Sequence, residues 1–235
     1  MMELGTMLVV GAHPDDETFT TGGLMARNVL SGNRVVCVTA TRGEAGSQDL
    51  ERWPPADMGR IRQAELKRCL GVLGVREHHW LDYIDGQCDT VDADEATEKI
   101  RGFIEEAQPD SVLTFGPDGM TGHSDHKCVS AWTSAAFEQA AKPGARLYHA
   151  TQTPEWADRF VPIMNRFNVF GPGTPPRTPA AELAIDFTLP PNLAEVKVDA
   201  LSQQTSQIEG MMSVFGRELF AEGVSQEFFV LAGEA

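Results

Sequence analysis

Two short runs of the 235-residue chain gather side chains that hold metal ions and move protons. The first is His13-Pro14-Asp15-Asp16-Glu17. The second is His123-Ser124-Asp125-His126, behind a glycine-rich stretch at 116–122. Imidazole and carboxylate donors suit a catalytic zinc that keeps one position open for water. Three consecutive acids after a histidine exceed what capping a helix needs. The plain alternative for that run alone is Asp15 or Asp16 as a cap and His13 as a turn residue. In the second run, residues three apart on a helix share a face, so His123 and His126 can address one site. Its plain alternative is an Asp125 cap beside two exposed histidines. Together the runs point to metal-dependent hydrolysis, in which a bound cation activates water.

The elements that must position these runs are legible from hydrophobic patterning. Residues 7–11, 34–41, 78–81, 111–115 and 147–151 read as strands, and 20–30, 58–73, 94–108 and 125–141 as helices. Residues 42–57 read as a long loop of the kind that often carries function. Alternation of strand and helix predicts an α/β fold, a Rossmann-like doubly wound and mostly parallel sheet with helices on both faces. In such a sheet the first and fourth strands are commonly neighbours, and ligands bind beyond their carboxyl ends where the strand order reverses. Both chemical runs follow those ends. The first turn carries acids where a dinucleotide site needs Gly-x-Gly-x-x-Gly, so that class is set aside. One domain over 1–235 is expected, with a core at 1–153 and an extension at 154–235. In the extension the pattern is weaker: no clear period over 160–170, a proline-rich loop at 171–179, strands at 184–189 and 227–231, and a helix at 192–207.

Composition narrows the partners. A net charge of −15 would repel nucleic acid and anionic membrane surfaces at long range. No apolar run reaches the length of a spanning helix, and the N-terminal run has no leader pattern. Four scattered cysteines without a Cys-x-x-Cys pair suggest reduced thiols, hence a cytoplasmic protein. His78 and His79 alternate in a strand and read as structural. Cys128 should face away from His126. Trp53 and Trp156 read as packing residues, with sugar stacking the alternative.

At AHPDDE (12–17) and GPDGMTGHSDH (116–126) the chain resembles the PIG-L/LmbE-like family of zinc-dependent N-acetylglucosaminyl deacetylases, which includes deacetylases and amidases of mycothiol and bacillithiol metabolism. Weaker agreement covers the glycine pair near the first helix start, TRGEAG (41–46) and RxxE within RIRQAEL. ALSQQTSQ (200–207) resembles the family's AL…H-x-SQ segment, with Thr205 read at the histidine's place. The resemblance implies metal ligands His13, Asp16 and His126, with Zn2+ as cofactor and Fe2+ or another divalent metal as alternatives. It implies Asp15 as general base and His123 as acid or electrostatic stabiliser. Asp125 would orient a histidine. Arg62 would bind sugar hydroxyls, its alternative being a surface ion pair with Glu65. Asp85 and Glu44 are further substrate-binding candidates, and Glu17 has no assigned role. The expected function is hydrolysis of an N-acyl, foremost N-acetyl, amide on a small sugar-containing substrate. The alternatives are an amidase of a thiol–sugar conjugate and a non-catalytic metal- or sugar-binding protein. A homo-oligomer is compatible with the sequence.

Overall fold

The computed structural model describes residues 3–233. Met1, Met2 and residues 234–235, on which the reading of the N-terminal run and the domain limits partly falls, lie outside the described residues. Seven strands form one sheet: β1 (Met7–Gly11), β2 (Val35–Thr41), β3 (Glu77–Tyr83), β4 (Ser111–Phe115), β5 (Arg146–Thr151), β6 (Ile185–Thr188) and β7 (Gln226–Leu231). Their order is β3-β2-β1-β4-β5-β7-β6. The pairs among β1 to β5 are parallel, while β7 runs antiparallel to both β5 and β6. Every residue of β1, β2 and β4 is buried. Unbroken apolar runs are what a strand covered on both faces requires. β1 lies between β2 and β4, so the strand order reverses there, as the sequence predicts.

The helices are α1 (Asp16–Leu30), α2 (Pro55–Leu73), α3 (Ala93–Ala107), α4 (Ser124–Ala140), α5 (Pro154–Met164), α6 (Pro191–Ser202), α7 (Thr205–Phe215) and α8 (Arg217–Gly223). With the right-handed crossovers that parallel strands favour, this order sets α1 and α2 on one face of the sheet and α3 and α4 on the other. α6 packs on α1 and α2, and α3 packs on α4. Among the described residues, no helix is long and apolar enough to cross a membrane. The four cysteines are unpaired.

The chain departs from expectation mainly after residue 153. α5 begins at Pro154, behind Thr153, whose side chain accepts from the Trp156 amide. That is a capped start with proline at the first helical position. It seeds a small core of Trp156, Phe160 and Phe228 rather than an unpatterned segment. The single helix read over 192–207 is two helices, parted at Gln203-Gln204, and α8 follows at Gly216. α6 to α8 share a second core built on Leu201, Ile208 and Phe220. The 42–57 loop ends earlier than expected, because α2 starts at Pro55.

α1 starts at Asp16, so the glycine pair Gly22-Gly23 lies in its middle. A Cβ on Gly23 would meet Leu189 at 2.4 Å, and one on Gly22 would meet Lys197 at 3.2 Å. The close approach admits a fully buried ion pair. Lys197 Nζ donates to Glu227 Oε1 at 2.7 Å and to the Phe19 carbonyl at 2.8 Å. Glu227 in turn accepts from the Gly23 and Leu24 amides. The pair bonds α6 and β7 to the middle of α1, the helix that opens with the acidic run. Removing one partner leaves a buried charge, which costs about 3–5 kcal/mol. Lys197→Met is therefore expected to lose about that much in urea unfolding, and Lys197→Met with Glu227→Gln to recover a good part of it. A single-variant loss below about 1 kcal/mol would show that the pair does not brace α1.

Candidate metal centre

The two chemical runs meet beyond the ends of β1 and β4. His13 Nδ1 lies 3.2 Å from His126 Nε2. Asp16 stands beside both, with Oδ2 3.5 Å from His13 Nδ1 and Oδ1 3.3 Å from His126 Nε2. Donors about 2.0–2.1 Å from a tetrahedral ion are separated by about 3.3–3.4 Å; the two imidazole nitrogens come near that spacing, and Asp16 approaches each ring with a different oxygen.

The far nitrogen of each ring is already engaged. His126 Nδ1 lies 2.9 Å from the Gly119 carbonyl and 3.2 Å from Thr121 Oγ1, and its ring stacks on Phe115 at 4.1 Å. His13 Nε2 lies 3.1 Å from Asp125 Oδ2 and 3.0 Å from Asp85 Oδ1. In neutral rings these contacts place N–H on the outer nitrogens and leave lone pairs facing inward. Two lone pairs and a carboxylate within 3.5 Å of one another fit a divalent cation.

The electrostatics agree. Burial works against a charged His13, yet Asp125, Asp16 and Asp85 outweigh it and raise its pKa well above 6.5. Burial also opposes ionised Asp16, but His126 and His13 hold it below the usual carboxylate range. Burial pushes His126 down to about 4, so its imidazole is neutral at pH 7. A centre that draws a proton onto one imidazole and keeps its carboxylate ionised favours positive charge.

Among the described residues, the groups offering one ligand atom each within 4.8 Å are His13 with His123 and His126, and His13 with Asp85 and Asp125. The acids of the second grouping lie on the outer side of His13, where carboxylate partners orient a ligand imidazole. Asp125 is fully buried and also accepts from the Gly86 and Cys88 amides at 2.7 and 3.2 Å. Asp85 Oδ2 accepts from Ala45 N at 2.9 Å, so both its oxygens serve the protein. His123 is exposed at the N-cap of α4, where Nδ1 accepts from Asp125 N at 3.2 Å. Its ring lies 4.8 Å from that of His13.

Asp15 occupies the N-cap position of α1 but makes no capping bond, which removes the plain alternative for the first run. Its φ of 115° is a strained backbone for a non-glycine residue, as is found where geometry is held for function. Arg62 holds it, with Nη2 3.1 Å from Asp15 Oδ2 and also donating to the Pro14 carbonyl. Arg62 Nη1 donates to the Gly43 carbonyl at 3.2 Å. A Cβ at Gly43, whose φ is +67°, would overlap that guanidinium at 2.2 Å. Arg62 is thus buried, not a surface partner of Glu65. Glu65 instead caps α7, accepting from Ser206 N at 2.9 Å and Ser206 Oγ at 2.6 Å. Glu44 is half-buried, and its Oε2 is 3.4 Å from Asp85 N.

The 200–207 segment corrects another reading. Counting back from Ser206-Gln207, the histidine's place in H-x-S-Q falls on Gln204, not Thr205. Gln204 is fully buried and reaches Glu17 Oε1 at 3.4 Å, while Gln207 Nε2 donates to the Gly46 carbonyl at 2.9 Å. His78 bonds Thr39 and His79 packs on Phe103, away from the centre. Trp156 donates to the Gly223 carbonyl, and Trp53 is half-buried beside Arg52.

Glu17 sits behind the donors, almost fully buried, accepting from Thr18 Oγ1 and the Asp15 amide. Burial raises its pKa from 4.5 to about 7. A carboxyl raised in the folded state costs no stability below its unfolded pKa. Its penalty grows as pH rises from there through about 7. Metal-free Glu17→Gln is therefore expected to gain Tm over the parent at pH 8 by several degrees more than at pH 5, each kcal/mol being about 2–4 °C. An equal difference at both pH values would contradict a neutral, buried Glu17.

The family model described as GlcNAc-PI de-N-acetylase matches residues 8–137, a span that contains both runs. A Saccharomonospora viridis protein named 1D-myo-inositol 2-acetamido-2-deoxy-alpha-D-glucopyranoside deacetylase is 31% identical over 262 residues, covering 96% of this chain and 94% of that protein. N,N'-diacetylchitobiose deacetylase from Pyrococcus horikoshii superposes with a TM-score of 0.68 at 20% identity, over 99% of this chain and 85% of that one. The zinc-inhibited form of teicoplanin deacetylase gives 0.65 at 16% identity, over 98% of this chain and all of that one. At such identities the structural likeness speaks for the fold. Family-model match and full-length relative agree: the chain belongs to the PIG-L family, GlcNAc-PI de-N-acetylase.

Proposed function

We propose that the protein is a metal-dependent amide hydrolase that removes an N-acyl group, foremost N-acetyl, from an N-acetylglucosamine-type sugar conjugate. The reading agrees with its full-length relative, named as a deacetylase of such a compound. His13, Asp16 and His126 would hold the cation, with zinc the leading choice. When bound there, the ion supplies Lewis acidity that makes water a better nucleophile and polarises the amide carbonyl.

The single observation that carries the catalytic reading is Asp15. It lies beside the donor set, and Arg62 ties it back by a 3.1 Å contact. A binding site alone has no need for a second carboxylate in a strained backbone. Burial raises Asp15 to about 7 against the lowering effect of Arg62, so its carboxylate is basic enough to take a proton from water near neutrality. His123, exposed at the mouth with Nδ1 accepting from the Asp125 amide, has Nε2 free to carry a proton. Protonated, it would stabilise the oxyanion or pass that proton to the leaving amine. Water adds to the acyl carbon, the C–N bond breaks, and carboxylate and amine depart. Asp125 and Asp85 act through His13 and are positioning residues.

Asp15→Asn keeps size and hydrogen-bonding capacity and removes the base. It is expected to retain about one divalent ion per chain and to lose about 10²–10⁴ in kcat/KM, followed as acetate release from N-acetyl amino sugars. Full activity in Asp15→Asn would overturn the mechanism. Silence of the metal-loaded parent protein across the substrate panel would favour the binding-protein alternative.

A further inference from the structure

A cavity of about 190 Å³ opens directly off the donor set, with Asp15, Asp16 and His126 at one end. Most of its remaining wall is apolar, with Phe19, Phe115, Met120, Trp156, Met164 and Phe170 the large side chains. A cavity of roughly 150 Å³ lined by such side chains suffices for benzene. An acetyl methyl alone would leave most of this space unfilled, and a polyhydroxylated ring would lose its hydrogen bonds to water against these walls. Polar side chains interrupt the lining at Thr20, Thr121, Thr151, Gln152, Gln226 and Glu227. Gln152 is 8% exposed, and its Oε1 is buried without a hydrogen-bond partner. A buried acceptor left unpaired is a standing cost that a ligand donor would relieve.

The polar groups of the centre lie elsewhere. Arg62, Glu44 and Asp85 come from α2 and the segments after β2 and β3, whereas the cavity is walled by β5, β7, α5 and the end of β4. A secondary amide is planar and trans, so its two substituents diverge. One of them must enter the apolar side.

Resting on the hydrolase reading above, we propose that the cavity receives an apolar substituent of the substrate, a phenyl ring or short alkyl chain, so that the natural amide joins a polar half to an apolar half. The substituent belongs either to the acyl group or to the aglycone of the sugar, and the same chemistry recognises both.

The test uses the metal-loaded protein and N-acetylglucosamine as parent substrate. One set lengthens the acyl group: N-butanoyl, N-hexanoyl and N-phenylacetyl glucosamine. The other keeps N-acetyl and adds a hexyl or phenyl glycoside. Binding of phenylacetate and hexyl glucoside, which have no cleavable amide, is measured against acetate and methyl glucoside. One set is expected to gain about fourfold in kcat/KM per buried methylene, the equivalent of ~0.8 kcal/mol, with the same order in binding. The set that gains identifies the occupant. Ala150→Leu, which narrows the cavity wall, is expected to cut the ratio of apolar to parent substrate by about fivefold or more. Hydrolysis of the parent with flat series and flat binding overturns this inference and leaves the hydrolase reading standing. No hydrolysis of any member overturns the hydrolase reading, and the order of binding then decides whether the cavity takes an apolar group.

Discussion

Two imidazole nitrogens face each other across 3.2 Å with a carboxylate alongside. That contact is unfavourable unless positive charge sits within it. It is maintained because each ring is fixed from behind, His126 by the Gly119 carbonyl and Phe115, His13 by Asp125 and Asp85. Asp125 is fixed in turn by the Gly86 and Cys88 amides. The order of the loops beyond β1, β3 and β4 follows from this chain of contacts. The two imidazoles and the carboxylate are thereby held close together, which would limit the reorganisation that binding a cation requires.

The same scaffold holds the neighbouring Asp15. α2 lies under the centre and sends Arg62 to Asp15, Pro14 and Gly43. One turn further on, Glu65 caps α7, and α7 returns Gln207 to the loop carrying Gly46. Gln204 meets Glu17 behind the donors. The carboxyl-terminal helices thus brace the site from outside the parallel core, and the Lys197–Glu227 pair fastens them to α1. The face they complete on the other side of the donors is apolar, so the centre combines polar and apolar halves.

Most of the parallel core is legible in the sequence because its strands are unbroken apolar runs and its helices carry regular spacing. The meeting of the two chemical runs is legible because both follow strands that adjoin where the order reverses. What escapes sequence reading depends on long-range pairing. Nothing local in Gln203-Gln204 marks a helix break; it forms where Glu65, more than a hundred residues earlier, satisfies the first turn of α7. Arg62 is compatible with a surface pair until folding buries it against Gly43. Glu17 reads as a helix opener, and only its burial gives it a distinct role. α5 is the opposite case. Thr153-Pro154 is a local start signal, obscured by the mixed apolar composition and Pro162 that follow.

The central claim is that His13, Asp16 and His126 together hold one divalent ion. The most direct measurement is X-ray absorption at the metal edge of protein loaded with one equivalent of zinc. The predicted first shell holds only nitrogen and oxygen at about 2.0–2.1 Å, with the outer-shell scattering of two imidazoles, and His126→Ala reduces this to one. Sulfur near ~2.3 Å, three imidazoles in the parent protein, or an unchanged imidazole count in His126→Ala would contradict it.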